Sequence, residues 1–248
     1  MRNIKLILEY DGSSFSGFQR QPRHLTIQEV LETALSRLFN RKMKIVAASG
    51  RTDSGVHASH QVVNFKTSKP IALEKIQRAL NGMLPRSIAV RKIEEVPAVF
   101  HARYSATSKT YEYRIWNDPV RSALVQRAWQ VQDKLDLRPM RRAVNLLKGR
   151  HDFRSFCAAT VGNAKKNTIR TIKKFEINRQ GPLIVICVEA NGFLYHMVRN
   201  LVGLLVDLGK GKLKVSAVKD ILNARDRRKA PATASCCGLM LVDVRYSK

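Results

Sequence analysis

The stretch Gly50-Arg51-Thr52-Asp53-Ser54-Gly55-Val56-His57-Ala58 joins two segments of strand character, Met43 to Ser49 before it and Gln61 to Lys66 after it. It is therefore expected to be a strand-to-strand loop, where a rigid frame holds functional side chains. Gly50 and Gly55 bracket it and let the backbone bend sharply and come close to another molecule. Asp53 lies two positions after Arg51 and two before Gly55. Asp-Ser-Gly is also ordinary turn chemistry, and Thr-Asp-Ser can cap a helix. What sets Asp53 apart is the charge around it.

Lysine and arginine number 45 against 19 acids, a net charge of +26. This exceeds what solubility requires, and it implies a polyanionic partner. Basic clusters recur at Arg20–Arg23, Arg37–Lys44, Arg138–Arg142, Lys165–Lys174 and Arg225–Lys229, spread along the chain rather than gathered in an arm. An acid kept in a flexible loop of such a protein points to a task, nucleophilic attack or acid/base work. Hydrophobic residues make up 44% of the 248, enough for a core. No apolar run reaches the length of a membrane span, and the N-terminal segment lacks a signal-peptide core and cleavage site. A cytoplasmic protein with no membrane partner is expected. Cys157, Cys187, Cys236 and Cys237 match no zinc spacing and are expected to be reduced thiols.

Outward from the loop, the chain divides into two similar halves, residues 1–104 and 105–248. In the first, Ile4, Leu6, Leu8 and Tyr10 alternate as a strand. Thr26 and Glu29 have capping-box spacing, and Ile27, Val30, Leu31, Ala34, Leu35 and Leu38 then form a helical stripe. A helix over Leu73 to Met83 and a strand over Ser87 to Glu94 complete it. In the second half, Lys109 to Asn117, Thr168 to Asn178, Leu183 to Glu189 and Leu239 to Val244 read as strands. Asp136 to Leu147, Leu194 to Leu208 and Val215 to Ala224 read as helices, with Gly209 as the cap of the apolar one. Most connections are too short for βαβ crossovers, so the expected class is α+β, with mostly antiparallel sheets flanked by helices.

Other motifs fall short of chemistry. His57 and His60 lack a further metal ligand. Gly209-Lys210-Gly211-Lys212 lacks the full phosphate-loop pattern, and no G-x-G-x-x-G follows a strand. An RNA methyltransferase would need a cofactor pocket that no motif supplies. Tyr111 and Tyr113 share a strand face, and one of them is placed to stack on a base.

These residues resemble the tRNA pseudouridine synthase A family. Arg51-Thr52-Asp53-Ser54-Gly55-Val56-His57 is similar to its R-T-D-x-G-V-H signature. Tyr10-Asp11-Gly12 with Gly17-Phe18-Gln19-Arg20-Gln21 is similar to its opening, and Phe100-His101-Ala102-Arg103 with Lys109-Thr110-Tyr111-Glu112-Tyr113 to its middle segment. Phe193-Leu194-Tyr195-His196-Met197-Val198-Arg199-Asn200 matches a helix start, and Gly238-Leu239 the closing strand. Phe18 stands where Trp is frequent, and Ser54 where Ala is frequent.

The resemblance implies a pseudouridine synthase fold with a cleft between the halves, and isomerisation of uridine to pseudouridine in the anticodon arm of tRNA, at positions 38, 39 and 40. It implies Asp53 as the nucleophile, acting on a flipped-out base, and no metal or small-molecule cofactor. Arg51 is implied to fill the gap left by the flipped base, Tyr111 to stack on or hydrogen-bond the base, and Arg199 to bind substrate and pair with Asp53. Members form homodimers, so a homodimer is implied. The rival reading is a non-catalytic basic protein that binds or remodels RNA.

Overall fold

The alternation of Ile4, Leu6, Leu8 and Tyr10 builds strand β1 (Arg2–Tyr10), with all four side chains at 2% exposure or less. This strand opens a computed structural model that describes residues 1–158 and 167–247. The chain forms two units, Met1–Thr107 with Met240–Lys248, and Ser108–Leu239.

In the first unit, helix α1 (Ile27–Phe39) starts at Thr26, whose hydroxyl accepts the Glu29 N–H at 3.4 Å. Glu29 turns its carboxylate to Arg20, 3.1 Å away, so only half of the expected capping box is used. Ile27, Leu31, Ala34, Leu35 and Phe39 face the core, while Val30 and Leu38 flank it, half-buried. The strand expected over Met43 to Ser49 shortens to β2 (Ala47–Ala48). The reason is competition from α1: the Met43 N–H bonds to Ser36 Oγ at 2.9 Å and the Ile45 N–H to Glu32 Oε1 at 3.0 Å. Strand β3 (His57–Thr67) follows, then α2 (Leu73–Met83) and β4 (Ile88–Val96). β1 lies antiparallel between β3 and β4.

In the second unit, β5 (Ala106–Trp116) buries Tyr111, Tyr113 and Ile115 on one face. The two-residue β6 (Trp129–Gln130) pairs parallel to it. Helix α3 (Leu137–Leu147) is capped by Asp136, whose carboxylate accepts the Arg138 N–H at 2.9 Å. β7 (Gly149–Asp152), β8 (Ile169–Gln180) and β9 (Leu183–Ala190) then extend the antiparallel order β5-β9-β8-β7. Helices α4 (Met197–Gly209) and α5 (Ala217–Ala224) complete the unit. Among the described residues no helix is long and apolar enough to cross a membrane.

The cap of α4 corrects an expectation. Gly209 is helical, and a Cβ there would meet Met140 Sδ at 2.8 Å, so its smallness serves packing against α3. The left-handed residue is Gly211, at φ +72°. Its N–H reaches Leu208 O at 3.1 Å and the Lys212 N–H reaches Asp207 O at 2.9 Å, which is a Schellman ending.

The last strand, β10 (Leu239–Tyr246), changes the division into halves. Met240 and Leu241 pair in parallel with His57 and Ala58, so residues from Met240 onward join the first unit, and the boundary falls after Thr107 rather than after residue 104. Tyr246 seals this return, with its hydroxyl on Ala102 O at 2.8 Å and its ring 5.0 Å from Phe100. A parallel pairing between strands so far apart along the chain leaves no local trace in sequence. The class remains α+β with mainly antiparallel strands.

Candidate active site

Asp53 and Arg51 share one loop of the first unit, between β2 and β3. Arg51 is exposed and Asp53 half-buried, while Thr52 between them is buried. The backbone beneath is held at almost every residue. Gln61 donates to Gly50 O at 2.9 Å, Tyr10 and Thr52 share a hydroxyl–hydroxyl bond of 2.7 Å, and the Phe18 N–H meets Thr52 O at 3.0 Å. Further along, Ser54 Oγ donates to Phe15 O at 3.2 Å and the Val56 N–H to Asp53 O at 3.2 Å.

Two glycines of the first segment permit this approach. A Cβ on Gly12 would lie 2.0 Å from Val56 O. Gly17 sits at φ +88°, and a Cβ there would lie 2.8 Å from Thr52 O. The Tyr10-to-Gln21 motif and the Asp53 motif are thus two parts of one object. His57 closes the loop from below: its Nδ1 accepts the Gly12 N–H at 3.2 Å and lies 3.1 Å from Asp11 Oδ1. His60 is half-buried on β3, and burial depresses its pKa. Among the described residues no three His, Cys, Asp or Glu side chains gather as a metal-binding group.

In the second unit the structure separates the two tyrosines left open by alternation. Tyr113 is fully buried and its hydroxyl donates to Ser235 O at 2.7 Å, with burial raising its pKa. Tyr111, two residues earlier, is 7% exposed and meets Phe193 edge-on at 5.0 Å. Tyr111 thus differs from Tyr113 in its surroundings. Arg199 stands in the first turn of α4, half-buried, with Nε donating to Ala234 O at 2.8 Å and Nη1 3.4 Å from His196 Nε2. The helix entry is set by His196 in the left-handed region, at φ 58°. The neighbouring Asn200 is buried and works as a brace: it donates to Phe156 O at 2.8 Å and accepts from Thr233 at 2.7 Å and Arg227 at 3.1 Å.

The basic clusters sort into structural and displayed cations. Arg20 is committed to Glu29 and Glu32, and Arg227 to Ala230 O, Asn200 and Thr233. Arg138 and Arg228 grip Asp136 and Asp226, and each hydrogen bond to arginine holds that carboxylate's pKa at about 2. Arg37, Arg41, Lys42 and Lys44 are exposed, as are Arg141, Arg142 and Lys173. Lys165 and Lys166 of the expected fourth cluster lie outside the described residues.

Several residues of the site are not legible as such in the sequence alone. Thr52, Gln61 and Ser49 join Tyr10 in a buried polar chain, and Gly12 and His57 meet across the loop. Their only trace along the chain is a place in or beside the motif segments.

The sequence profile of the tRNA pseudouridine synthase family matches residues 6–105 and 143–247. The tRNA pseudouridine synthase A of Caldicellulosiruptor bescii is 43% identical over 247 residues, covering 99% of this chain and 100% of that protein. That of Thermoanaerobacter sp. (strain X514) is 42% identical over 247 residues, covering 99% and 100%. That of Legionella pneumophila (strain Lens) is 42% identical over 248 residues, covering 99% and 93%. Matched in order along nearly its whole length, the chain belongs to the tRNA pseudouridine synthase family.

Proposed function

We propose that this isomerase converts uridine to pseudouridine in the anticodon stem-loop of tRNA, at positions 38, 39 and 40, with Asp53 as nucleophile. Family membership supports uridine isomerisation in tRNA. One observation carries the assignment to Asp53: a half-buried carboxylate is displayed from a backbone clamped on both sides, in a chain of net charge +26.

The chemistry is redox-neutral. The N1–C1′ bond breaks, the uracil turns, and a C5–C1′ bond forms; C5 loses a proton and N1 carries one in the product. An aspartate is ionised near neutral pH unless strongly buried. It has two ways to begin, addition to uracil C6 or action at ribose C1′ with an eliminated glycal, and either holds one fragment while the other reorients.

The target base leaves its stack first, at a cost of about a few kcal/mol. Arg51 is assigned to the vacated position, because an exposed planar guanidinium both stacks and binds phosphate. Tyr111 stacks on or hydrogen-bonds the base and is placed to move a proton, and Arg199 binds substrate. The displayed cations bind the tRNA backbone. The enzyme works in the cytosol as a homodimer, whose breadth lets one tRNA lie across two subunits.

The test is pseudouridine mapping on unmodified tRNA, wild type beside Asp53→Asn. Turnover is expected to vanish while tRNA binding persists; a variant that still isomerises refutes the nucleophile. Raising salt from about 50 to 200 mM weakens binding steeply, since each phosphate contact releases about 0.7–0.9 counterion. A nearly flat response removes the electrostatic part of the proposal. A non-catalytic RNA binder would leave uridine unchanged in the wild type as well.

A further inference from the structure

We infer that the Tyr10-Asp11-Gly12 turn is a positioning clip for Asp53, and that the Tyr10 hydroxyl sets the turnover rate through Thr52 without touching substrate. The inference rests on Asp53 being the nucleophile. The segment at the end of β1 grips both limbs of the acidic loop. Tyr10 holds the incoming limb at Thr52, 2.7 Å away. Gly12 holds the outgoing limb, its N–H donating to His57 Nδ1 at 3.2 Å, and Asp11 Oδ1 lies 3.1 Å from the same nitrogen. Asp11 is itself fixed, since its Oδ1 accepts the Ser13 N–H at 3.0 Å and the Ser13 hydroxyl at 2.7 Å.

Donor accounting orients the Gln61 end of the incoming limb. Ser49 Oγ donates to Gln61 Oε1 at 2.6 Å, which orients the amide. The Gln61 NH₂ then serves Gly50 O at 2.9 Å and the Tyr10 oxygen at 3.3 Å. The Tyr10 and Thr52 hydroxyls then share the bond at 2.7 Å, which either of them can donate. Burial pushes the phenol's pKa up to about 12, so the hydrogen is present across the neutral range. Ser49 and Gln61 are 0% exposed, Tyr10 2% and Thr52 6%, so competing water is kept out. The chain fixes the residues on either side of Arg51 and the one just before Asp53.

Removing the hydroxyl tests positioning apart from folding. A Tyr10→Phe side chain keeps the ring, which packs on Phe18 at 6.4 Å, and keeps the strand pairing of residue 10 with Ala58. It frees Thr52 to rotate and the loop to shift by a fraction of an ångström. The variants are Tyr10→Phe, Thr52→Val, their double, and Thr52→Ser, each measured for kcat and KM on unmodified tRNA, tRNA binding and thermal midpoint.

Tyr10→Phe and Thr52→Val are each expected to lower kcat about 10- to 100-fold, with KM and tRNA binding within about twofold of wild type. The double variant is expected to be no slower than the slower single, because both remove one bond. Thr52→Ser keeps the hydroxyl and restores the rate. A folded Tyr10→Phe enzyme with kcat within about twofold of wild type overturns the clip, as do losses that multiply in the double variant. Should Tyr10→Phe fail to fold, the contrast of Thr52→Val with Thr52→Ser decides the same question: equal rates in the two overturn the clip. Asp53→Asn in the same assay separates the two claims: an inert Asp53→Asn beside an unimpaired Tyr10→Phe removes the clip alone, and an active Asp53→Asn removes the nucleophile.

Discussion

The acidic loop and helix α4 each present an arginine assigned to substrate, yet opposite forces hold them. The loop's buried apolar side chains are Val56 and Ala58. The loop is fixed by directional bonds among buried polar side chains: Ser49, Gln61, Tyr10 and Thr52 on one limb, His57 with Gly12 on the other. Helix α4 buries 11 of its 13 residues, mostly aliphatic ones. Apolar burial is strong but non-directional, so it anchors a helix without fixing its depth or rotation. Polar braces trim those: Asn200 ties α4 to Phe156 and Thr233, and Arg199 to Ala234. A reacting carboxylate needs orientation within a fraction of an ångström, which hydrogen bonds supply, whereas a binding arginine on a packed helix tolerates more freedom.

The sharpest break of this comparison is Asp53→Asn. It is expected to lower turnover about 10³-fold or more while the protein melts like wild type, as for removal of a covalent nucleophile. Loss of stability instead would make the carboxylate a structural part of its loop.

Next come two glycines, one in each region, that face a carbonyl at nearly the same distance. A Cβ on Gly12 would lie 2.0 Å from Val56 O, and one on Gly203 2.1 Å from Ala232 O. Each Gly→Ala change is expected to cost about 1–3 kcal/mol in denaturant unfolding, because backbone rather than a flexible side chain must yield. Only Gly12→Ala is also expected to depress kcat in the folded fraction, since it displaces a limb of the acidic loop. Equal kcat losses from both would erase the distinction between directional and packed regions.

Alkaline titration probes the loop's polar chain. The Tyr10 phenol is raised from 10.0 to about 12 in the folded protein, chiefly by burial, so the fold favours its protonated form. Its contribution to stability is complete below pH 10 and is lost as pH rises through about 12. Tyr10→Phe is therefore expected to flatten the fall in unfolding free energy across that window, and an unchanged slope would place the phenol in water.

The smallest effect concerns the end of α4. Gly211 sits at φ +72° with open space where a Cβ would go, so Gly211→Ala is expected to cost about 1 kcal/mol from backbone strain alone. Gly209→Ala meets the flexible Met140 side chain instead and is expected to cost no more, read from thermal midpoints.

Much of this was legible along the chain. The period-two run Ile4 to Tyr10, the helix Leu73 to Met83 and the Asp136 cap stand where the pattern put them, because each is decided by neighbours in sequence. The candidate carboxylate was legible too, because an acid between an arginine and a glycine in a basic chain is a local oddity. Failures came where two acceptable local solutions competed. Gly209 and Gly211 both suit a helix end, and contact with Met140 decided between them. Met43 to Ser49 suits a strand until Ser36 and Glu32 claim its N–H groups.

By itself, then, the sequence determined periodicity, net charge and the chemical kind of each side chain, all properties of a residue and its near neighbours. Tertiary structure alone decided that β10 returns to pair with β3, that Tyr113 spends its hydroxyl on Ser235 while Tyr111 meets Phe193, and that Tyr10 meets Thr52 across 42 residues. The physical reason is that a hydrogen bond is specified by a few ångströms and an angle, and that geometry exists only once burial has brought distant segments together.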